Sequence, residues 1–283
     1  MKDYKNYLKK KYLVKDDLNV NKAFTFSNLY KSSFFDYSYI KKKIAPMGWN
    51  WLYFSDNYST ETLGEDGHVK SALVFPKFYG CKRMFAGSEL LFFDKVILNN
   101  KASKISQITS IENKSKEKKK IYFVTIKNVF KVRNKKVLVE NQKIVYVNKS
   151  YKSTNKKIEK FCEYKIISQT NFSFNNIHLF RYSAITYNSH RIHYDLDYTT
   201  KKEGYENLLV HGPLLASFSL EYLSLVKKTK SIKSFSFKII KPVFVNEKIT
   251  LKLYYSLKDE KKIKTVITNK LKELKFIGTC ILK

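Results

Sequence analysis

The chain is short of the residues that punctuate or staple small folds. Only 8 glycines and 4 prolines occur in 283 residues, which excludes collagen-like and low-complexity classes. Three cysteines, Cys81, Cys162 and Cys280, stand far apart. That spacing excludes a disulfide framework and a zinc knuckle, and a reducing, cytoplasmic interior is the expectation. No apolar run approaches the roughly 18–20 residues that span a bilayer, so no membrane partner is expected. The opening segment MKDYKNYLKKKYLVKDDLNV lacks the apolar centre of a signal peptide. It also carries acids and no arginine, unlike a mitochondrial presequence. Arginine occurs at only four positions, Arg83, Arg133, Arg181 and Arg191. Where lysine is the default cation, a retained arginine points to a need for its planar, bidentate fork.

What is abundant is apolar, aromatic and basic. Hydrophobic residues make up 43% and aromatics 16%, which supports a real core and excludes global disorder. The length suits one large domain or two modest ones. Lys and Arg total 55 against 24 acids, a formal charge of +31. Such a surface attracts polyanions. The lysines are spread throughout, however, and accompany many Asn, Ile, Tyr and Phe, the mixture an AT-rich coding sequence produces. The charge therefore reads as a solvated surface, and without a recognised motif no nucleic-acid partner is expected.

Two halves share a rhythm: a loop-rich, aromatic front end leads into alternating strands. Ser103–Ile111, Lys120–Val132 and Lys136–Val147 close the first half, and the last two alternate with a period near two. Asn113–Lys120 forms a charged turn between strands, and the polar stretch Asn148–Lys160 separates the halves, giving units 1–155 and 156–283. The second half opens a helix at Gly212–Pro213, with Leu214, Leu215, Phe218, Tyr222 and Leu225 at helical spacing. Strands follow at Ser234–Ile240, Lys248–Tyr255, Lys262–Thr268 and Glu273–Leu282. A central apolar helix followed by antiparallel strands suggests an α+β unit in which a sheet wraps that helix.

The chemistry concentrates just upstream of the helix. Leu179–Tyr198 and Gly204–Ala216 hold His190, His193 and His211, with Arg181, Arg191, Asn188, Asp195 and Asp197. A helix N-terminus supplies unpaired N–H groups and partial positive charge, which can polarise a carbonyl or hold an enolate oxygen. His190 reads as a backbone-bonded ring or a substrate contact, and His211 as a capping or packing residue. Asp195 could orient His193 or join a loop. Arg191 reads as a clamp for phosphate or carboxylate or as a residue that stabilises a loop, the clamp being preferred, and Arg83 reads similarly from the other half. Asp66 and His68 fall in a GEDGH turn with no second ligand cluster in sequence, so no metal is expected. Cys81 reads as a structural thiol.

FRYSAITYNSHRIHYD and LLVHGPLLA resemble the MaoC-like hydratase/dehydratase family, in the branch of mesaconyl-CoA hydratase and the mitochondrial type of 3-hydroxyacyl-thioester dehydratase. PMGWNWLYF (Pro46–Phe54), LGEDGH (Leu63–His68), KRMFAGSELLFF (Lys82–Phe93), VLVENQKIVY (Val137–Tyr146) and FSFKIIKPVF (Phe235–Phe244) agree with it in order. The resemblance implies a double hot-dog fold, two antiparallel sheets each wrapped around a helix. It also implies addition of water across the double bond of an α,β-unsaturated acyl thioester, with the first half shaping the pocket. His193 matches the catalytic histidine, and Asn188 occupies the position that is Asp in the wider family. An amide cannot accept a proton at neutral pH. On this reading Asn188 holds the water, His193 both takes its proton and later protonates the α-carbon, and the Gly212 N–H faces the oxyanion. Arg191, His190, Asp195, His211 and Arg83 are the expected substrate-binding set. No cofactor is expected beyond coenzyme A, or an acyl-carrier protein, as the substrate's handle. A homodimer stays open, since two units in one chain already mimic the usual pair. A non-catalytic acyl-CoA-binding protein on the same fold is the reading from another class.

Overall fold

The computed structural model describes residues 4–30, 37–55, 58–70, 75–116, 118–148, 163–228 and 231–283. The expected boundary at 155/156, and Cys162, lie outside the described residues. Period-two burial is clearest in β4 (Ile121–Val132), where Val124, Ile126, Asn128, Phe130 and Val132 face inward. Arg133 and Asn134, both at positive φ (49° and 64°), turn the chain into β5 (Lys135–Asn148). That two-residue geometry matches the twist of the strands it joins.

Among the described residues ten antiparallel strands form one sheet. The first half contributes β1 (Lys11–Asp16), β2 (Cys81–Phe92), β3 (Ala102–Asn113), β4 and β5. The second contributes β6 (Tyr164–Phe172), β7 (Ile232–Ile239), β8 (Ile249–Ser256), β9 (Lys262–Asn269) and β10 (Leu274–Leu282). Their order is β1-β3-β4-β5-β2-β7-β10-β9-β8-β6, so the halves join edge to edge through β2 and β7. The join depends on Gly87, at φ +150°: a Cβ there would stand 2.1 Å from the carbonyl oxygen of Phe237. A bulge between Phe85 and Gly87 bends β2 at the same point.

The predicted helix is α6 (Gly212–Lys227), with Pro213 in its first turn and Lys228 ending it in a left-handed conformation. Every residue from Leu214 to Ser224 is buried, as expected of a helix enclosed by its sheet. Full burial of Phe218 and Leu223 stabilises by about 1.5–3 kcal/mol each. Upstream lies α5 (Asn176–Thr186), started by a capping box between Asn175 and His178. Among the described residues the first half has no helix of comparable length. It carries instead the short α1 (Lys5–Lys9), α2 (Val20–Ser27), α3 (Tyr37–Lys41) and α4 (Trp49–Leu52), with Trp49 packed on Phe130 of β4 and Phe26 of α2 on Tyr182 of α5. Glu140, buried on β5, ties this half together by accepting from Trp51 Nε1 (2.8 Å), Ser88 Oγ (2.8 Å) and Asn128 Nδ2 (3.0 Å). No helix of the described residues is long and apolar enough to cross a membrane.

Candidate active site

The site forms where α5, the turn after it and the start of α6 converge. Tyr187 ends α5 at φ 55°, and the Asn188 N–H then donates to Ser183 O at 2.8 Å. Asn188 Oδ1 accepts the His190 N–H at 3.0 Å, a local turn that sets the path of the next residues. Arg191–His193 makes one short 3₁₀ turn and buries His193. Its Nδ1 lies 2.8 Å from the carbonyl oxygen of Leu209. A carbonyl only accepts, so the proton sits on Nδ1 and Nε2 keeps its lone pair. Burial pushes His193 down to about 4, keeping the ring neutral at physiological pH.

His211 precedes α6, packed rather than capping: its side chain makes no cap bond. Its Nε2 pairs with Ser183 Oγ at 2.9 Å, and its ring stacks on His193 with centroids 3.6 Å apart. Burial and the neighbouring His193 hold it well below the usual imidazole range. Gly212 begins the helix, and a Cβ there would meet Ile239 Cδ1 at 2.4 Å and Phe85 Cδ1 at 2.8 Å. The first-turn N–H groups of Gly212 and Leu214 are free of intrahelical partners by position, while Pro213 has none.

A loop of the first half is built onto this turn. Leu63 bridges Val69, and Gly67 turns the loop at φ +83°. A Cβ on Gly67 would sit 1.8 Å from Ser189 O, so only glycine permits the approach. Ser189 Oγ donates to Gly67 O (2.5 Å), Arg191 N to Asp66 O (3.0 Å), and Arg191 Nη1 to Glu65 O (3.1 Å). These bonds bring His68 onto His190, ring centroids 3.9 Å apart, and His190 in turn lies 5.5 Å from His193. His68, His190, His193 and His211 thus run side by side, four of the chain's five histidines. Burial lowers His68 first and Arg83 next, against the opposing pull of Asp66. Burial also lowers His190, reinforced by His68, His193, Arg83 and His211.

A cleft of about 2210 Å³ opens onto all four rings, walled by Arg83 and Phe85 of the first half and Gly212 and Ile239 of the second. The expected ligand set divides there. Asn188, His190, His193, His211, Gly212 and Arg83 all line the cleft. Arg191 lines the cleft as well, and its fork makes the loop bonds: Nε and Nη2 hold Asp195 (3.0 and 2.7 Å), Nη1 holds Glu65 O, and the guanidinium lies 4.2 Å over Tyr198. Its fork links the halves. Asp195 does not orient His193; its other oxygen accepts the Tyr198 N–H at 2.9 Å, the loop role. His68 and Asp66 are the residues that sequence reasoning left in a turn. They do form that turn, but only the tertiary placement on His190 reveals their company. Asp66, His68 and His190 each offer an atom within 4.8 Å of the others, a spacing a metal ion could draw together. The neighbouring Arg83 cation opposes a dication there, and Asp66 is already bonded to His68 at 2.9 Å.

Comparison with known proteins gives this arrangement its context. A family model described as hydroxyacyl-thioester dehydratase type 2 matches residues 48–245. The chain is 32% identical over 200 residues to mesaconyl-C(4)-CoA hydratase of Chloroflexus aurantiacus, covering 70% of this chain and 71% of that protein. It is 33% identical over 129 residues to the mitochondrial hydroxyacyl-thioester dehydratase type 2 of Schizosaccharomyces pombe, covering 44% of this chain and 42% of that one. A Mycobacterium tuberculosis protein with a double hot-dog fold superposes with a TM-score of 0.62 at 9% identity, over 99% of this chain and 98% of that chain. The α+β double hot-dog architecture is therefore shared, its two five-stranded halves fused here into one sheet. The chain belongs to the MaoC-like hydroxyacyl-thioester dehydratase type 2 family, hydro-lyases that add water to acyl thioesters or remove it.

Proposed function

We propose that the chain reversibly hydrates an α,β-unsaturated acyl thioester of the mesaconyl-CoA type, with His193 as the base. The carrying observation is the 2.8 Å bond from His193 Nδ1 to Leu209 O, which leaves Nε2 free as an acceptor in the cleft. Asn188 Oδ1 is spent on the His190 N–H, so its Nδ2 hydrogens remain to hold the attacking water. In hydration, Nε2 takes a water proton and the oxygen bonds to the β-carbon. The double-bond electrons move to the thioester oxygen, where the Gly212 N–H and the positive end of α6 favour negative charge. The α-carbon then takes a proton. Arg83, facing the cleft from β2, is the cation suited to a free carboxylate on the acyl group.

A straight-chain 3-hydroxyacyl-thioester dehydratase is the second reading. It is favoured by the apolar wall that Phe85 and Ile239 place beside Gly212. The test follows ultraviolet absorbance of the enoyl thioester with crotonyl-CoA, a longer enoyl-CoA and mesaconyl-CoA, with His193→Ala as control. Turnover lost in the control supports the assignment of His193, and the preferred substrate chooses between the two readings. Tight CoA binding without turnover on any of them would replace both with a carrier-protein substrate or a binding role.

A further inference from the structure

The motif Asn188–His193 opens with an amide and not a carboxylate, yet a carboxylate, Asp66, is bonded to a histidine that lines the same cleft. Asp66 accepts from His68 twice: from the backbone N–H at 3.0 Å and from ring Nδ1 at 2.9 Å. An ionised carboxylate only accepts, so the ring proton sits on Nδ1 and the His68 Nε2 is the exchanging atom. Asp66 fixes the tautomer of His68 and favours its imidazolium, against the larger lowering by burial and Arg83, and the carboxylate–imidazole pair has the geometry of an acid–base pair. The pair is not a loop ornament. Three bonds and the close contact at Gly67 fasten the loop to the turn that carries His193. The ring of His68 lines the cleft and touches His190, which lies against His193.

We propose that His68, positioned by Asp66 of the first half, is a second proton-transfer group of this site and delivers the proton that the α-carbon takes up. This rests on the hydro-lyase reading above. In hydration His193 Nε2 gains the proton that water loses, and the His68 imidazolium gives its Nε2 proton to the α-carbon as the enolate collapses. Both rings return to their starting states by exchange with solvent in the open cleft. His193 is thereby relieved of serving twice. Asp66 is a positioning residue: it acts through His68.

Burial, Arg83 and Asp66 set His68, and other charged or titratable groups stand around it. Asp66 and Glu65 lie on its own loop, Arg83 on β2, Tyr146 on β5 beside Asp66 and Arg83, and His190 and His193 on the motif. Because hydration needs His68 protonated, its rate should fall as pH rises through the His68 pKa. Loss of Asp66 should move that fall to lower pH.

The experiment measures kcat and KM for hydration, and their pH profiles, in wild type, His68→Gln and Asp66→Asn. The substrate is whichever enoyl-CoA the wild type turns over. The expected result is at least a 100-fold loss of kcat in H68Q with KM within threefold. In D66N the basic limb should move to lower pH. Wild-type turnover with H68Q within tenfold of it, or a limb unmoved in D66N, would overturn the proposal. Should H68Q not fold, the D66N limb decides, since that variant keeps the ring. No wild-type turnover on any enoyl-CoA defeats the CoA-thioester reading above, and this inference with it, an outcome distinct from an active wild type with an unimpaired H68Q.

Discussion

Burial of His193 should make the protein lose stability in mild acid, and one substitution should remove much of that loss. The ring's ordinary pKa is 6.5, and burial takes it to about 4. The unfolded chain therefore binds a proton below pH 6.5 that the folded protein resists until pH 4. The stabilising contribution is full above the unfolded value and drains away as pH falls toward the folded one. At pH 5 an unfolded imidazole is almost wholly protonated and the buried one almost wholly neutral, which favours unfolding by about 2 kcal/mol relative to pH 7.5. In His193→Gln the titrating ring is gone, while the amide can still donate to Leu209 O. Urea unfolding followed by tryptophan fluorescence, with Trp49 buried in the core, gives the stability at each pH. Wild type should fall more than the variant between pH 7.5 and 5, by about 2 kcal/mol. Parallel curves for the two proteins would refute the assignment of a neutral, buried His193.

Three further outcomes follow from the site. Gly67→Ala forces a Cβ against Ser189 O from a left-handed backbone; it should cost about 1–3 kcal/mol in chemical denaturation and lower turnover along with it. Arg191→Lys keeps the charge but loses the fork to Asp195 and the bond to Glu65 O, so kcat should drop at least tenfold; wild-type activity would show that the link between loop and motif is dispensable. Arg83→Gln should raise KM at least tenfold for a thioester bearing a free carboxylate and leave crotonyl-CoA within threefold; equal effects on both would remove Arg83 from acyl recognition.

Much of the second half was legible before any coordinates. Helix α6 spans Gly212–Lys227 against an expected start at Gly212–Pro213, and β7 to β10 lie within two residues of their expected bounds. Helix α6 shows as a long apolar run opened by Gly212–Pro213, and β7 and β8 show by alternation of buried and more exposed positions. The elements that escaped lack that contrast. β6 has no fully buried residue, and α5 buries only Leu179, Tyr182 and Ser183, so neither carries a strong pattern. β2 was visible as a motif but not as a strand, being broken by the Gly87 bulge. In the site, the Asn188–His193 spacing marked the turn, because those residues are neighbours in sequence. His68 could not be placed, since GEDGH is fully explained as a turn and its approach to His190 crosses more than a hundred residues. The loop role of Arg191 was open in the sequence as one of two alternatives, and its partner Glu65 O, like His68, lies more than a hundred residues away.

The seam at β2 and β7 has a consequence for how such a site can change. In a symmetric pair of identical units every substitution occurs twice, and two equivalent clefts must tolerate it. Here one continuous sheet carries one array of histidines, with His68 drawn from one half and His193 from the other. A change in the wall around Arg83 and Phe85 is not mirrored at Gly212 and Ile239. One wall can be reshaped for a different acyl group while the other keeps the chemistry, and each chain should take up a single thioester rather than two.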